Sequence, residues 1–361
     1  MQAIHPPITP ANANTLQYLC QLGWYDNHSY PKQIHWHPTA PIIALTYPLI
    51  APVDTVRLAL WNAVGTCLSI ITSPDGEGKG MLWSPVGWSA DGLVFAYGFT
   101  HIHVSTADQR SSRTLPGQSL RWSPHGHTLA TSDMVSVALW DLDRGITTVL
   151  PDSGGIRLGW SPAFCWANTT TVRGATDTLI TTWDVNGTII TQHPLAPAFS
   201  TDSIFARPIP MWSPDGNLLA TWIDHEVAIV GHDGTPHAIV PTSTMGAFAS
   251  PVAWHPTSRM IATVDDWNIQ LWDLNGNRRH TFTGEHYGIA SLAWSPDGRI
   301  LATGSWDSTL CLWSSEGTLL QTIFTYPARY SSGAPFILAW SSDGRYLAAS
   351  LRNCSVQLCA G

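Results

Sequence analysis

Fifteen histidines offer the most chemistry in this chain, and six of them fall in three His-x-His pairs: His35 with His37, His101 with His103, and His125 with His127. Alternate residues of an extended strand share a face, so such a pair can present two imidazoles to one metal ion. The three pairs sit in different contexts. The first lies in an apolar run, the second opens another run, and the third stands in the turn "WSPHGH", so they are not expected to converge. No cysteine or carboxylate completes a tetrahedral set beside any of them, and no metal or other cofactor is expected. Catalytic motifs are equally thin: the chain has no G-x-S-x-G elbow, no H-E-x-x-H, no P-loop and no G-x-G-x-x-G opening a helix. Asp215 and Asp297 stand in "SPDG", where turn chemistry accounts for them. A non-enzymatic protein is expected.

The elements that position these residues are read from the nineteen tryptophans. A Trp followed by a turn recurs at Trp36, Trp88, Trp122, Trp160, Trp212, Trp254, Trp294 and Trp340, in forms such as "WHPT" and "WSPDG". These eight span 304 residues, a mean interval of about 43. Each ends a short apolar run, and an alternating run such as "RILATGS" follows the turn, which predicts a β-hairpin. A third run ends in Trp61, Trp140, Trp183, Trp272 or Trp313, or in Val230 or Cys359, and a fourth follows a glycine turn, as at Gly187 and Gly317. Four strands per repeat is the count of a propeller blade.

The repeat resembles that of the WD40 proteins, most closely in "GEHYGIASLAWSPDGRILATGSWDSTLCLW", residues 284–313. The resemblance implies an all-β, single closed β-propeller. It also implies a hydrogen-bonded network inside that blade built from His286, Ser305, Asp307 and Trp313, which lets buried polar groups satisfy one another. Other repeats keep only an acid or amide six residues before the Trp position, at Asp177, Asp224, Asp266 and Asn353. Eight four-stranded blades are expected over residues 15–361, after an N-terminal arm at 1–14. The segment "TLQYLCQ" from Thr15 supplies the outer strand of the last blade and closes the ring. Seven blades is the alternative, because Trp88 to Trp122 and Trp122 to Trp160 are short intervals of 34 and 38 residues.

Scaffold positions leave six tryptophans over. Three of these, Trp222, Trp267 and Trp306, are expected in the loop between the second and third strands of the fifth, sixth and seventh repeats, with His225, Asp265, Tyr287 and Arg352 around them. Such an aromatic face is a candidate surface for protein or peptide partners, because Trp, Tyr and Arg dominate binding hot spots. Packing beneath the loops is the competing reading. Long connections at 72–86, 193–209, 241–251 and 325–336 reach the same face, the last carrying Tyr326, Arg329 and Tyr330. A hydrolase or small-molecule binder using His225, Asp224 and Asp266 at the channel mouth is the rival function. A repeat embedded in a larger assembly is a third, and it predicts apolar residues exposed on the blade rims.

Composition narrows the partners. A net charge of −8 with only two lysines, Lys32 and Lys79, argues against nucleic acid. The absence of a leader pattern and of any apolar run long enough to span a bilayer predicts a monomeric, cytoplasmic protein without membrane contact. The six scattered cysteines fit free thiols in a reducing compartment.

Overall fold

A strand covered on both faces reads as a continuous apolar run, whereas a strand covered on one face alternates. The repeat contains both kinds, and the structure, a computed structural model, arranges them accordingly. It describes residues 5–22, 33–50, 55–72, 85–98, 101–108, 111–133, 135–153, 164–176, 178–195, 211–223, 226–242, 251–265, 268–283, 288–305, 309–324, 337–350 and 356–360. Thirty-two strands form eight antiparallel four-stranded sheets. The seven-bladed alternative is therefore set aside.

The first strands of blades one to eight are Gln33–Trp36, Val86–Trp88, Ser119–Trp122, Phe164–Asn168, Met211–Trp212, Val252–Trp254, Ile289–Trp294 and Leu338–Trp340. Adjacent first strands meet around most of the ring, so they are the innermost. Middle strands such as Ile300–Ser305 are buried at every position, sandwiched between blades. Outer strands such as Cys67–Thr72 and Ile189–Pro194 alternate half-buried with exposed residues. In seven blades the residue before the inner Trp pairs with a fully buried alanine of the second strand: Ala44, Ala96, Ala130, Ala220, Ala262, Ala302 and Ala348. A small side chain there lets adjacent blades approach closely.

Blade eight takes its outer strand from the N-terminus, as expected. Gln17–Leu22 pairs antiparallel with Val356–Ala360, from Gln17 opposite Ala360 to Leu22 opposite Val356. The preceding residues are anchored too. Ile8, Ala13 and Leu16 are buried against blades seven and eight, and the Ile8 N–H donates to the Gly344 carbonyl at 2.8 Å. No strand of blade eight is left open on its third-strand edge, a site of unwanted pairing.

One repeat departs from the expected register. In blade four the strand that meets its neighbours is Phe164–Asn168, so Trp166 rather than Trp160 holds the inner position, and Trp160 lies outside the described residues. Trp166 follows Trp122 by 44 residues and precedes Trp212 by 46, closer to the mean period than Trp160 allows. The "WSP" triplet at Trp160 was a more familiar turn than "WANTT", which is why local chemistry pointed to the wrong tryptophan.

Candidate functional site

A hairpin's first and third turns lie at one end of a blade, and its second loop and the link to the next blade lie at the other. The candidate docking residues belong to the second-loop end. In blades five and six the second and third strands stay paired to that end, Ile223 with Glu226 and Asp265 with Asn268. Trp222 consequently falls within the strand Leu218–Ile223, its backbone paired with Val227, and not in the loop as expected. Its counterpart in blade six is the fully buried Val264, opposite Ile269. Asp265 accepts a hydrogen bond from the Gln270 side chain at 2.8 Å, so it braces its own hairpin. His225, Trp267, Tyr287, Trp306 and Arg352 lie outside the described residues, as do Asp177, Asp224, Asp266 and Asn353 and most of the four long connections.

The network residues are partly described. The Trp313 indole donates to the Thr303 hydroxyl at 3.2 Å, which adds Thr303 to the expected residues. Thr303 and Ser305 share a strand face two residues apart. Ser305 is fully buried and its hydroxyl reaches the Gly288 carbonyl at 3.4 Å; His286 and Asp307 lie outside the described residues. The indole-to-threonine bond recurs in blades three and six, from Trp140 to Thr131 at 2.8 Å and from Trp272 to Thr263 at 2.9 Å.

Inner tryptophans bolt the ring. The indole N–H of Trp36, Trp122, Trp166, Trp254 and Trp340 donates to the carbonyl just before the inner Trp of the preceding blade, on Ala339, Gly87, Arg121, Met211 and Ala293, at 2.9–3.1 Å. Trp88 and Trp294 break the pattern: among the described residues their buried indole nitrogens have no acceptor. Both follow a blade whose turn reads "WHPT". There the imidazoles of His37 and His255 pack on these indoles, with ring centroids 4.6 and 4.8 Å apart. Each His also bonds the glycine carbonyl of the next blade, His37 Nε2 to Gly92 at 3.1 Å and His255 Nε2 to Gly298 at 3.0 Å. Backbone N–H groups of Ala40 and Thr257 donate to the other ring nitrogen, which selects the neutral Nε2–H tautomer.

This strut places a double demand on Gly298. Its φ of +72° disfavours other residues, and an added Cβ would lie 2.3 Å from His255 Nε2. Gly126 has a similar φ of +69° and nothing within 4 Å of an added Cβ. Gly298→Ala is expected to cost about 3 kcal/mol, the left-handed backbone and the overpacking together, and Gly126→Ala about 1 kcal/mol. Urea midpoints read the difference, and equal costs would show that the His255 ring simply moves aside.

Two polar groups on the inner strands are ill suited to acid–base or nucleophilic work. His35 is pushed down to about 4 by burial and by the Arg121 charge, so it is neutral. The Cys165 thiol is pushed up to about 12 by burial despite Arg173 and Arg121 nearby, and a protonated thiol is a poor nucleophile. Arg173 stands where seven blades have the buried alanine. Its guanidinium crosses to blade five, reaching the Gly216 carbonyl at 2.6 Å and Asn217 Oδ1 at 2.8 Å. The five described cysteines are free. Among the described residues no three His, Cys, Asp or Glu side chains gather as a metal set, and no helix is long and apolar enough to cross a membrane.

Comparison with known proteins agrees with this architecture. The family model "WD domain, G-beta repeat" matches residues 252–273 and 276–314. The mouse F-box-like/WD repeat-containing protein TBL1X is 32% identical over 111 residues, 26% of this chain and 20% of that protein. The COMPASS component SWD3 of Saccharomyces cerevisiae is 33% identical over 116 residues, 31% of this chain and 36% of that protein. The matched parts thus span well under half of these relatives. The crystal structure of the C-terminal WD40 domain of Sif2 superposes with a TM-score of 0.65 at 14% identity, covering 96% of this chain and 98% of that one. The chain is an eight-bladed β-propeller. Its fold is that of the WD40 domains, and the stretch in blades six and seven is similar to the WD40 repeat.

Proposed function

We propose that the propeller is a non-catalytic scaffold that holds protein or peptide partners on the second-loop face of blades five to seven, through Trp222, His225, Asp265, Trp267, Tyr287, Trp306 and Arg352. The observation that carries the reading is the strand pairing that runs to Ile223–Glu226 and Asp265–Asn268 in adjacent blades five and six. Strands paired to their ends on a bolted ring are already ordered, so a partner meeting them there costs little further ordering entropy. The relatives support an interaction role, since SWD3 is named as a component of a complex. The neutral His35 and the protonated Cys165 thiol weigh against channel chemistry. Free thiols fit a reducing compartment such as the cytoplasm.

Exposed apolar side chains on the outer strands favour a second reading, packing of the rim in a larger assembly. Leu68 and Ile70 on blade one, Ile146 and Val149 on blade three, and Ile190, Ile239 and Leu319 on blades four, five and seven are each about half exposed. They are spread around the ring, and single exposed apolar residues are ordinary, so the loop face is preferred. Affinity capture from native lysate compares the wild type with Trp222→Ala/Trp267→Ala/Trp306→Ala and with Leu68→Glu/Ile70→Glu, each first checked for folding by circular dichroism. Specific partners are expected to be lost only from the tryptophan variant. Loss only from the rim variant would establish the assembly reading instead, and retention by both would remove the loop face as a docking surface.

A further inference from the structure

A single imidazole ties two blades together at the end of the ring opposite the candidate docking loops. His127 precedes the second strand of blade three, Thr128–Ser132. Its Nε2 lies 2.8 Å from Asp91 Oδ2 in the first turn of blade two, and its Nδ1 lies 2.8 Å from Asp143 Oδ1 in the last turn of blade three. A neutral imidazole has one N–H, so it can donate to only one of these carboxylates; the imidazolium donates to both. We propose that His127 is a proton-dependent clamp on the seam between blades two and three, closed by the imidazolium and loosened when that proton is lost.

The surroundings favour the closed form. The Asp143 hydrogen bond raises the His127 pKa above its ordinary 6.5; burial opposes this and Asp91 adds to it. Burial tends to raise the Asp91 pKa, but hydrogen bonds from the Ser89 hydroxyl, the Leu93 N–H and His127 outweigh it and hold the group at about 2. Other charged or titratable groups stand around the clamp, among them Asp108, which accepts from the Thr106 hydroxyl of the same cleft at 2.7 Å. Arg113, on the outer strand of blade two, lines the same cleft with Val94, Ser105 and Asp143. His37 of blade one reaches the Gly92 carbonyl beside Asp91 and is held below 6.5 by burial, so it stays neutral where His127 is charged. His125 turns to the Pro124 carbonyl, and Arg144 pairs with Asp141 at 3.8 Å.

The sign follows from the two shifts. His127 has a raised folded pKa, so its contribution is complete below 6.5 and disappears as pH rises through the folded value. Asp91 bounds the acid side, where its share is lost as pH falls from the ordinary 3.8 toward about 2. Between these limits the seam is closed. Above the upper one the single remaining N–H is shared between Asp143 and Asp91, and whenever it sits on Nδ1 the bond across the seam to Asp91 is lost.

Histidine-labelled protein observed by NMR, with His127→Gln to assign the signal, is expected to show His127 titrating above 6.5 and His37 below it. Hydrogen exchange, corrected for the intrinsic pH dependence, then reads the seam at the amides of Leu93 and Arg144. Their protection is expected to fall roughly threefold to tenfold across the His127 titration, the scale of one partly exposed charge-assisted hydrogen bond. It is expected to stay flat in His127→Gln. Asp143→Asn alters a mostly exposed carboxylate and keeps the test open if the histidine variant does not fold; it should lower the His127 titration midpoint. A His127 titrating at or below 6.5, or equal seam protection on both sides of its titration, would overturn the clamp.

Discussion

Removing residues 1–22 is expected to abolish cooperative unfolding of the whole ring. The deletion strips the outer strand from Val356–Ala360, whose five residues are all buried, and withdraws Ile8, Leu16 and Leu22 from the seams of blades seven, eight and one. Burying three such side chains is worth roughly 5 to 9 kcal/mol, and the whole stability of a domain is about 5 to 15 kcal/mol. The loss also uncovers an apolar strand edge, a template for aggregation. Scanning calorimetry should therefore show a broadened or missing transition, and a hydrophobic dye should bind. A peptide of residues 1–22 added in trans should restore part of the transition. A truncated chain melting within a few degrees of the intact one would show that seven complete blades hold the eighth without its latch.

Trp183→Ala is expected to be the most damaging single substitution among the third-strand tryptophans, by about 3 to 5 kcal/mol. Trp183 is only 1% exposed and packs with Leu139, Leu150, Phe164 and Val172, which belong to blades three and four. Its indole N–H donates to the Pro151 carbonyl at 2.8 Å, so the substitution also leaves a polar group of the neighbouring blade without its donor. Trp183→Phe keeps most of the volume and loses that bond, for an expected cost nearer 1 to 2 kcal/mol. Urea midpoints with an unchanged slope would read both values. Equal costs for Ala and Phe would mean that the hydrogen bond, and not the packing, holds this seam.

The repeat was legible because its punctuation is local. A "WSPDG" turn encodes its own hydrogen bonds: in blades five, seven and eight the Ser213, Ser295 and Ser341 hydroxyls each donate to the Asp two residues on, at 2.6 Å. Turn chemistry of that kind is a property of five consecutive residues. The inner tryptophan of blade four was misread because that cue was strong at Trp160 and absent at Trp166, although the spacing favoured Trp166. Thr303 was not legible as the acceptor of the Trp313 indole, because hydroxyls on one strand face look alike until the indole's position is known. Trp222 was placed in a loop because hairpin length, and so the strand end, depends on pairing across the turn. His127 showed only as half of a His-x-His pair and Arg173 carried no signal, since each meets a group on another blade.

Period, turn type and the closing N-terminal strand were determined by the sequence alone, because each depends on near neighbours or on a count, whereas the structure decided for eight blades over seven. The seams between blades were decided only by the tertiary structure: indoles seeking carbonyls 35 to 303 residues away, imidazoles standing on the next blade's glycine, and a histidine held between two carboxylates. The physical reason is that a closed ring brings remote groups within hydrogen-bonding range, and no spacing along the chain records which of them will meet.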